Sequence, residues 1–176
     1  MSARFGGQEP TPQPTSLPRD TDIVQLAAFR VGAEEYVLDI MRVREILRPV
    51  QVTPVRKGPK YVEGVISLRG QVIPIVDMRR RFDVPADSHR HRKIIILVIE
   101  GRVLGLIVDG VTEVVRVPRS EIRSAPGLLT SDKAPYFLGV VQYRGRTLIL
   151  LNVKSIISSD ASIGVPSSAE IVEGLR

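Results

Sequence analysis

The chain has 176 residues, 43% of them hydrophobic and 5% aromatic, with no cysteine and a formal charge of +6. That is enough apolar length for one or two packed cores, and it excludes disulfide staples and thiolate chemistry. The charge is uneven: residues 1–22 carry 2 basic and 3 acidic groups, residues 158–176 carry 1 and 3, and the middle carries 22 and 13.

The N-terminal tail, residues 1–22, holds Pro10, Pro12, Pro14 and Pro18 among Gly, Gln, Thr and Ser, a composition too poor in apolar surface to offset the entropy of ordering. Nothing in it resembles a basic-then-apolar secretory signal. Ile23 to Val31 reads as a strand that turns at Gly32-Ala33-Glu34 into Tyr36-Val37-Leu38. Asp39 to Val43 lacks alternation and is expected to bend or make one helical turn. Arg44 to Val50 reads as extended, and Pro49, Pro54 and Pro59 forbid a long helix there.

Gly64 to Asp77 is the strongest local signal: two apolar runs flank Arg69-Gly70, and a two-residue link ending in Gly marks a tight β-hairpin. Arg69 stands at the tip, where its guanidinium faces solvent or a partner. Met78-Arg79-Arg80-Arg81-Phe82 is expected to form a short helix, its arginines a solvated face or, as the sharper alternative, a phosphate-binding patch. His89 and His91 follow in a polar loop, with no third ligand to make a metal site.

Lys93 to Glu100 and Arg102 to Val108 form a second hairpin around Gly101, followed by Asp109-Gly110 and a strand from Val111 to Val117. The apolar run Ile94 to Ile99 is six residues, far short of the ~20 that span a bilayer, so the chain reads as soluble and cytoplasmic. Pro118 to Pro135 is expected to be a loop with at most a turn near Ser120-Glu121-Ile122. Gly139 to Asn152 is a third hairpin, then a short helix to Ile157 with Asn152 as N-cap. From Ser158 the chain is polar and acidic enough to fray.

Two internal repeats run through this order. Gly64, Val65, Arg69, Gly70 and Asp77 recur 75 positions later as Gly139, Val140, Arg144, Gly145 and Asn152. At offset 68, Leu38, Ile40 and Val43-Arg44-Glu45-Ile46 lie over Leu106, Val108 and Val111-Thr112-Glu113-Val114. Offsets differing by seven imply two copies of one β unit with a loop insertion, not a short-period solenoid. Some ten short strands in two copies argue for an all-β protein, two small barrels or sandwiches of about five strands each. Where both faces of a strand are apolar, as in Ile94 to Ile99, both need cover, so the two units are expected to pack on each other.

Tyr36-Val37-Leu38-Asp39-Ile40, Val43-Arg44-Glu45-Ile46, the run from Gly64 through Arg79, Gly105 to Val111 and Gly139 through Asn152 together resemble the CheW family of bacterial chemotaxis coupling proteins, over about residues 22–157. Leu68-Arg69-Gly70 to Asp77 is the most specific part, and Ser67 departs from the Asn that many members carry. The resemblance implies one CheW-like domain over 23–157, made of two intertwined, packed SH3-like five-stranded β-barrels with short helices and flexible termini. It further implies a non-enzymatic adaptor without cofactor or metal, located at receptor arrays near the inner membrane. Its partners would be the regulatory domain of a CheA-type histidine kinase and the cytoplasmic tip of methyl-accepting chemotaxis receptors. The family's receptor-binding groove maps to Val43, Glu45, Ile46, Arg69, Val111 and Val114, and Gly64 to an interface with either partner.

Read without the family, the four apolar groove residues are as readily core, Glu45 a solvated strand residue, and Asp77 and Asp109 strand-end or turn residues. No Ser-His-Asp set, phosphate-cradling loop or acid-base pair supports catalysis. The basic middle leaves a second class open, an SH3-like nucleic-acid binder, against which stands the lack of an aromatic cluster beside the basic runs for base stacking. An anionic membrane surface or an acidic protein face would answer the same charge.

Overall fold

Tight turns set where the strands end. Arg69 and Gly70 have φ of 50° and 79°, Glu100 and Gly101 51° and 78°, Arg144 and Gly145 47° and 75°. Positive φ at both central residues twists each hairpin in the sense its strands need. The computed structural model describes residues 22–86, 91–124 and 132–158; the tails apart from Asp22 and Ser158, His89, and the middle of the 118–135 loop lie outside the described residues.

Ten strands follow among the described residues: β1 Ile23–Val31, β2 Glu34–Asp39, β3 Val43–Leu47, β4 Val62–Leu68, β5 Gln71–Asp77, β6 Lys93–Ile99, β7 Arg102–Val108, β8 Gly110–Pro118, β9 Phe137–Tyr143 and β10 Arg146–Leu151. Helix α1 is Met78–Arg81, α2 is Val153–Ser158, and the bend after β2 is a 3-10 turn, Ile40–Arg42. β3 stops at Leu47, short of the expected Val50, because Pro49 lacks an N–H for a ladder and biases Arg48 before it.

The strands form two five-stranded sheets, A in the order β8-β1-β2-β10-β9 and B in the order β3-β6-β7-β5-β4. Copies and sheets do not coincide. The first copy, β1 to β5, gives its opening hairpin to sheet A and its last three strands to sheet B, and the second copy does the reverse. The registers match across the exchange: Ile46 faces Ile95 in sheet B, and Val114 faces Ala27 in sheet A, each pair related by the offset of 68. Even the irregularities repeat. β3 bulges between Val43 and Glu45, and the β1–β8 ladder shifts at the corresponding place, between Ala28 and Phe29.

Past β3 and β8 the chain returns to the far edge of the same sheet. Thr53 and Val65 exchange backbone hydrogen bonds of 2.9 and 2.8 Å, and Arg123 and Val140 do the same at 2.9 and 2.8 Å. Each sheet is thereby curled toward a barrel, and its open edge is paired instead of being left as a template for aggregation.

Three cores result. Leu26, Ala28, Val37, Val115, Val117, Val141 and Leu148 fill the inside of sheet A. Ile66, Ile73, Ile75, Ile94, Ile96 and Ile107 fill the inside of sheet B. The third core lies between the sheets and takes the alternate residues, among them Phe29, Leu38, Ile95, Leu97 and Leu106. This is the cover that β6 requires, with Ile94 and Ile96 on one face and Ile95 and Leu97 on the other. A fully buried Leu or Ile of this kind contributes about 1.5–3 kcal/mol.

Candidate functional site

β3 and the β4–β5 turn bring two of the expected site residues into contact. Arg69 donates from Nη1 to Glu45 Oε1 at 2.6 Å and from Nη2 to Oε2 at 3.0 Å, a two-pronged pair between planar groups. The Arg69 side chain is 65% exposed and that of Glu45 21%. The hydrogen bond from Arg69 holds the Glu45 carboxyl below its ordinary range, with the Arg69 and Arg44 charges adding to the effect, and the same bond raises the Arg69 guanidinium further. Being exposed, the pair positions Arg69 more than it stabilises the fold.

Its pH dependence has a definite sign. A carboxyl depressed in the folded protein keeps its contribution above the unfolded glutamate value of roughly 4.3 and loses it as pH falls through the lower folded value. A carbon-13 NMR titration of the Glu45 carboxyl should therefore show a midpoint below the ordinary value, moving up toward it in Arg69→Ala. Equal midpoints in the two proteins would remove the pair from solution.

Of the four apolar residues, Ile46 and Val114 are 44% and 50% exposed, whereas Val43 and Val111 are half-buried and pack on the core between the sheets. All four lie on β3 or β8, the edge strands on which the chain crosses from one sheet to the other. Gly64 is buried, with a φ of 154°, and a Cβ there would lie 2.0 Å from the Thr53 carbonyl oxygen. Its place is at the seam that curls sheet B.

The second copy is built differently at the matching place. Glu113, the counterpart of Glu45, accepts from Arg146, whose Nη1 also lies 3.0 Å from Glu35 Oε2. Arg144, the counterpart of Arg69, instead lies with its guanidinium 5.1 Å from the centre of the Tyr143 ring. The duplication therefore presents one tip arginine held by a carboxylate and one laid on an aromatic ring.

Of the α1 arginines, Arg80 is exposed as the solvated-face reading expects, while Arg79 is buried and Arg81 half-buried. Arg79 is 6% exposed, and its Nε donates to the buried Asp109 Oδ1 at 2.7 Å. Arg80 Nη2 pairs with Glu63 Oε2 at 2.7 Å. Arg81 lies between two rings, 4.0 Å from the centre of Tyr61 and 4.6 Å from that of Tyr136. These tyrosines are far from α1 in sequence, so the aromatics missing beside the basic run are supplied in three dimensions and then covered. Tyr36 joins the neighbouring stack, 5.1 Å from Phe82, and burial pushes its phenol up to about 12.

Asp77 caps α1, accepting from the Arg79 backbone N–H at 2.9 Å, and Asp109 closes the β7–β8 turn. Asn152 stands immediately before α2, and its N–H donates to the Tyr136 carbonyl at 2.7 Å, just as that of Asp77 donates to Tyr61 at 2.8 Å. Sequence reasoning passed over two exposed apolar side chains, Met41 at 86% and Leu138 at 60%. The absence of alternation around Met41 is the only local sign of either, since Leu138 stands out through a register shift in the β9–β10 ladder. Among the described residues no group of three or more metal-ligating side chains gathers, and no helix is long and apolar enough to cross a membrane.

The CheW-like domain family model matches residues 25–161. The chain is 37% identical over 137 residues to the chemotaxis protein CheW of Rhizobium meliloti (strain 1021), covering 77% of this chain and 88% of that one. It is 35% identical over 133 residues to that of Klebsiella aerogenes, covering 75% and 80%. The crystal structure of the scaffolding protein CheW from Thermoanaerobacter tengcongensis superimposes with a TM-score of 0.74 at 29% identity, covering 81% of this chain and 97% of that chain. By sequence and by fold, the chain belongs to the CheW-like family of chemotaxis scaffold proteins, which are adaptors and not enzymes.

Proposed function

We propose that the chain couples methyl-accepting chemotaxis receptors to a CheA-type histidine kinase, acting in the cytoplasm at receptor arrays near the inner membrane. The receptor tip would lie on a face made by Arg69, Glu45, Ile46 and Val114, with Val43 and Val111 beneath it, and the kinase regulatory domain would bind separately. The observation that carries this reading is the exposed Arg69, held in one orientation by Glu45 of β3, the strand that also carries the exposed Ile46. A preset arginine beside apolar area is the composition of an interface centre, and the two-pronged clamp lowers the entropy lost when a partner engages it. Against the nucleic-acid alternative, Arg79 is buried on Asp109, and Arg81 covers Tyr61 and Tyr136.

The test measures binding of a receptor signalling tip and of a kinase regulatory domain, separately and together. Arg69→Ala should leave the melting temperature within about 2 °C of the parent, as for an exposed residue, and weaken receptor binding at least ~10-fold, as loss of an interface anchor does. Arg69→Lys should restore only part of it, because an ammonium keeps the charge and loses the fork. Arg144→Ala should have a much smaller effect on the receptor. Parent-like receptor binding by folded Arg69→Ala would end this assignment.

A further inference from the structure

The end of sheet B opposite the Arg69 turn carries a second charged surface. The registers gather there the end of β3, the start of β6, the ends of β5 and β7 and the start of β4: Leu47 faces Ile94, Lys93 faces Val108, Val62 faces Val76, and Asp77 runs beside Ile107. Arg48 and Lys93 follow Leu47 and Ile94 at the edge of the β3–β6 ladder, Arg92 adjoins Lys93, and Lys60 stands just before β4. Arg48 and Lys60 are exposed, and Arg92 and Lys93 half-buried. None of the four makes an ion pair with a described residue. Among the described residues the carboxylates at this end are engaged elsewhere, Asp109 by Arg79, Glu63 by Arg80 and Asp77 by the Arg79 backbone N–H.

The duplication provides an internal comparison. At the same offsets, Arg48, Lys93, Arg92 and Lys60 correspond to Arg116, Gln25, Val24 and Pro135 in the other copy. Three of the four cations are thus peculiar to sheet B and are not required by the shared fold. Arg48, Lys93 and Arg92 adjoin at the end of the β3–β6 ladder, and like charges side by side repel one another, so the arrangement costs stability unless an anion is present to offset it.

We propose that this end of sheet B docks an acidic protein segment, at a site separate from the Arg69 face and independent of the adaptor reading above. A protein fits better than a nucleic acid because Arg81 covers both Tyr61 and Tyr136, the rings near this end among the described residues. It fits better than a bilayer because the exposed apolar area beside Arg48 is small, with Val50 48% exposed. That area suits burial at a protein contact and is too little to insert into lipid.

The probe is a labelled polyglutamate of about 20 residues, titrated by fluorescence anisotropy against the full chain at about 150 mM salt, where loosely screened contacts fade. Parallel titrations use duplex DNA and phosphatidylcholine vesicles containing phosphatidylserine. The variant Arg48→Gln/Lys60→Gln/Arg92→Gln/Lys93→Gln should bind polyglutamate at least ~10-fold more weakly. The equal-charge control Arg102→Gln/Arg116→Gln/Arg119→Gln/Arg144→Gln should stay within about 3-fold, and DNA and vesicles should not bind the parent at this salt. Should the quadruple variant fail to fold, the exposed pair Arg48→Gln/Lys60→Gln gives the same reading with a smaller loss. Equal losses in cluster and control would reduce the effect to net charge and overturn the proposal. So would a parent that ignores polyglutamate, or one that holds DNA or vesicles through these four residues.

Discussion

Asp109→Ala should destabilise the protein by about 3–5 kcal/mol, the cost of removing one partner from a buried ion pair. Both side chains are almost sealed from water, Arg79 at 6% and Asp109 at 8% exposed. Oδ1 of Asp109 accepts from Arg79 Nε at 2.7 Å, while Oδ2 accepts from the Gly32 backbone N–H at 2.6 Å. Alanine would strip a buried guanidinium of its counter-charge and leave a backbone donor unsatisfied. Arg79 also donates to the Pro85 carbonyl, so it cannot swing out to solvent without breaking a further bond.

The three residues join both sheets. Arg79 is in α1 behind β5 of sheet B, Asp109 sits where the chain leaves β7 for β8 of sheet A, and Gly32 is in the β1–β2 turn of sheet A. Urea unfolding should therefore report a loss for the whole domain in one transition, not a frayed loop. The double variant Arg79→Leu/Asp109→Ala should recover a substantial part, because it removes the buried guanidinium together with the carboxylate it pairs with. A cost below about 1 kcal/mol for Asp109→Ala would mean that the site relaxes or hydrates freely. There is a functional corollary. This pair anchors the crossover into β8, on which Glu113 and Val114 lie, so its loss should loosen one flank of the proposed receptor face without touching Arg69.

What the sequence discloses and what it withholds divide along physical lines. The Arg69-Gly70 and Arg144-Gly145 turns are local, since positive φ is written in the residue pair itself, and both hairpins fall where expected. The apolar faces of β6 are also legible, because alternation maps directly onto the two cores that Ile94 and Ile95 enter. The exchange of strands between copies depends instead on which edge β3 chooses beyond the Ile40–Arg42 turn, and no local pattern encodes that choice. The α1 arginines show the same limit. Arg79 looks like a surface cation because its partner Asp109 lies 30 residues away, and Arg81 looks free because its two tyrosines come from different copies. For the candidate site, the contact of Arg69 with Glu45 across 24 residues is invisible to spacing, though the family resemblance named both residues.

Gly64→Ala should cost about 3 kcal/mol or more, from two sources that add. The first is backbone strain: at a φ of 154° the residue occupies territory open almost solely to glycine. The second is collision, since the new Cβ would lie 2.0 Å from the Thr53 oxygen, 2.7 Å from its carbonyl carbon and 2.9 Å from Pro54 Cα. All three are backbone atoms that no rotamer change can move aside. Relief would require pulling the Thr53 segment away and breaking its two hydrogen bonds to Val65, which uncurls sheet B at its seam. Gly139, the counterpart in sheet A, separates the two sources: its Cβ would meet the Arg123 oxygen at 2.6 Å without the left-handed φ, so Gly139→Ala should cost less than Gly64→Ala. Gly70, with a φ of 79° and nothing within 4 Å of a Cβ, isolates the backbone cost, and Gly70→Ala should lose only about 1–2 kcal/mol. Chemical denaturation of the three variants should rank them Gly64, Gly139, Gly70 in decreasing cost if collision outweighs φ strain. A Gly64→Ala no worse than Gly70→Ala would show that the Thr53 seam gives way easily. If the seam is as rigid as its geometry requires, Gly64→Ala should weaken receptor and kinase binding together through the fold, and so be distinguishable from Arg69→Ala, which should affect the receptor alone.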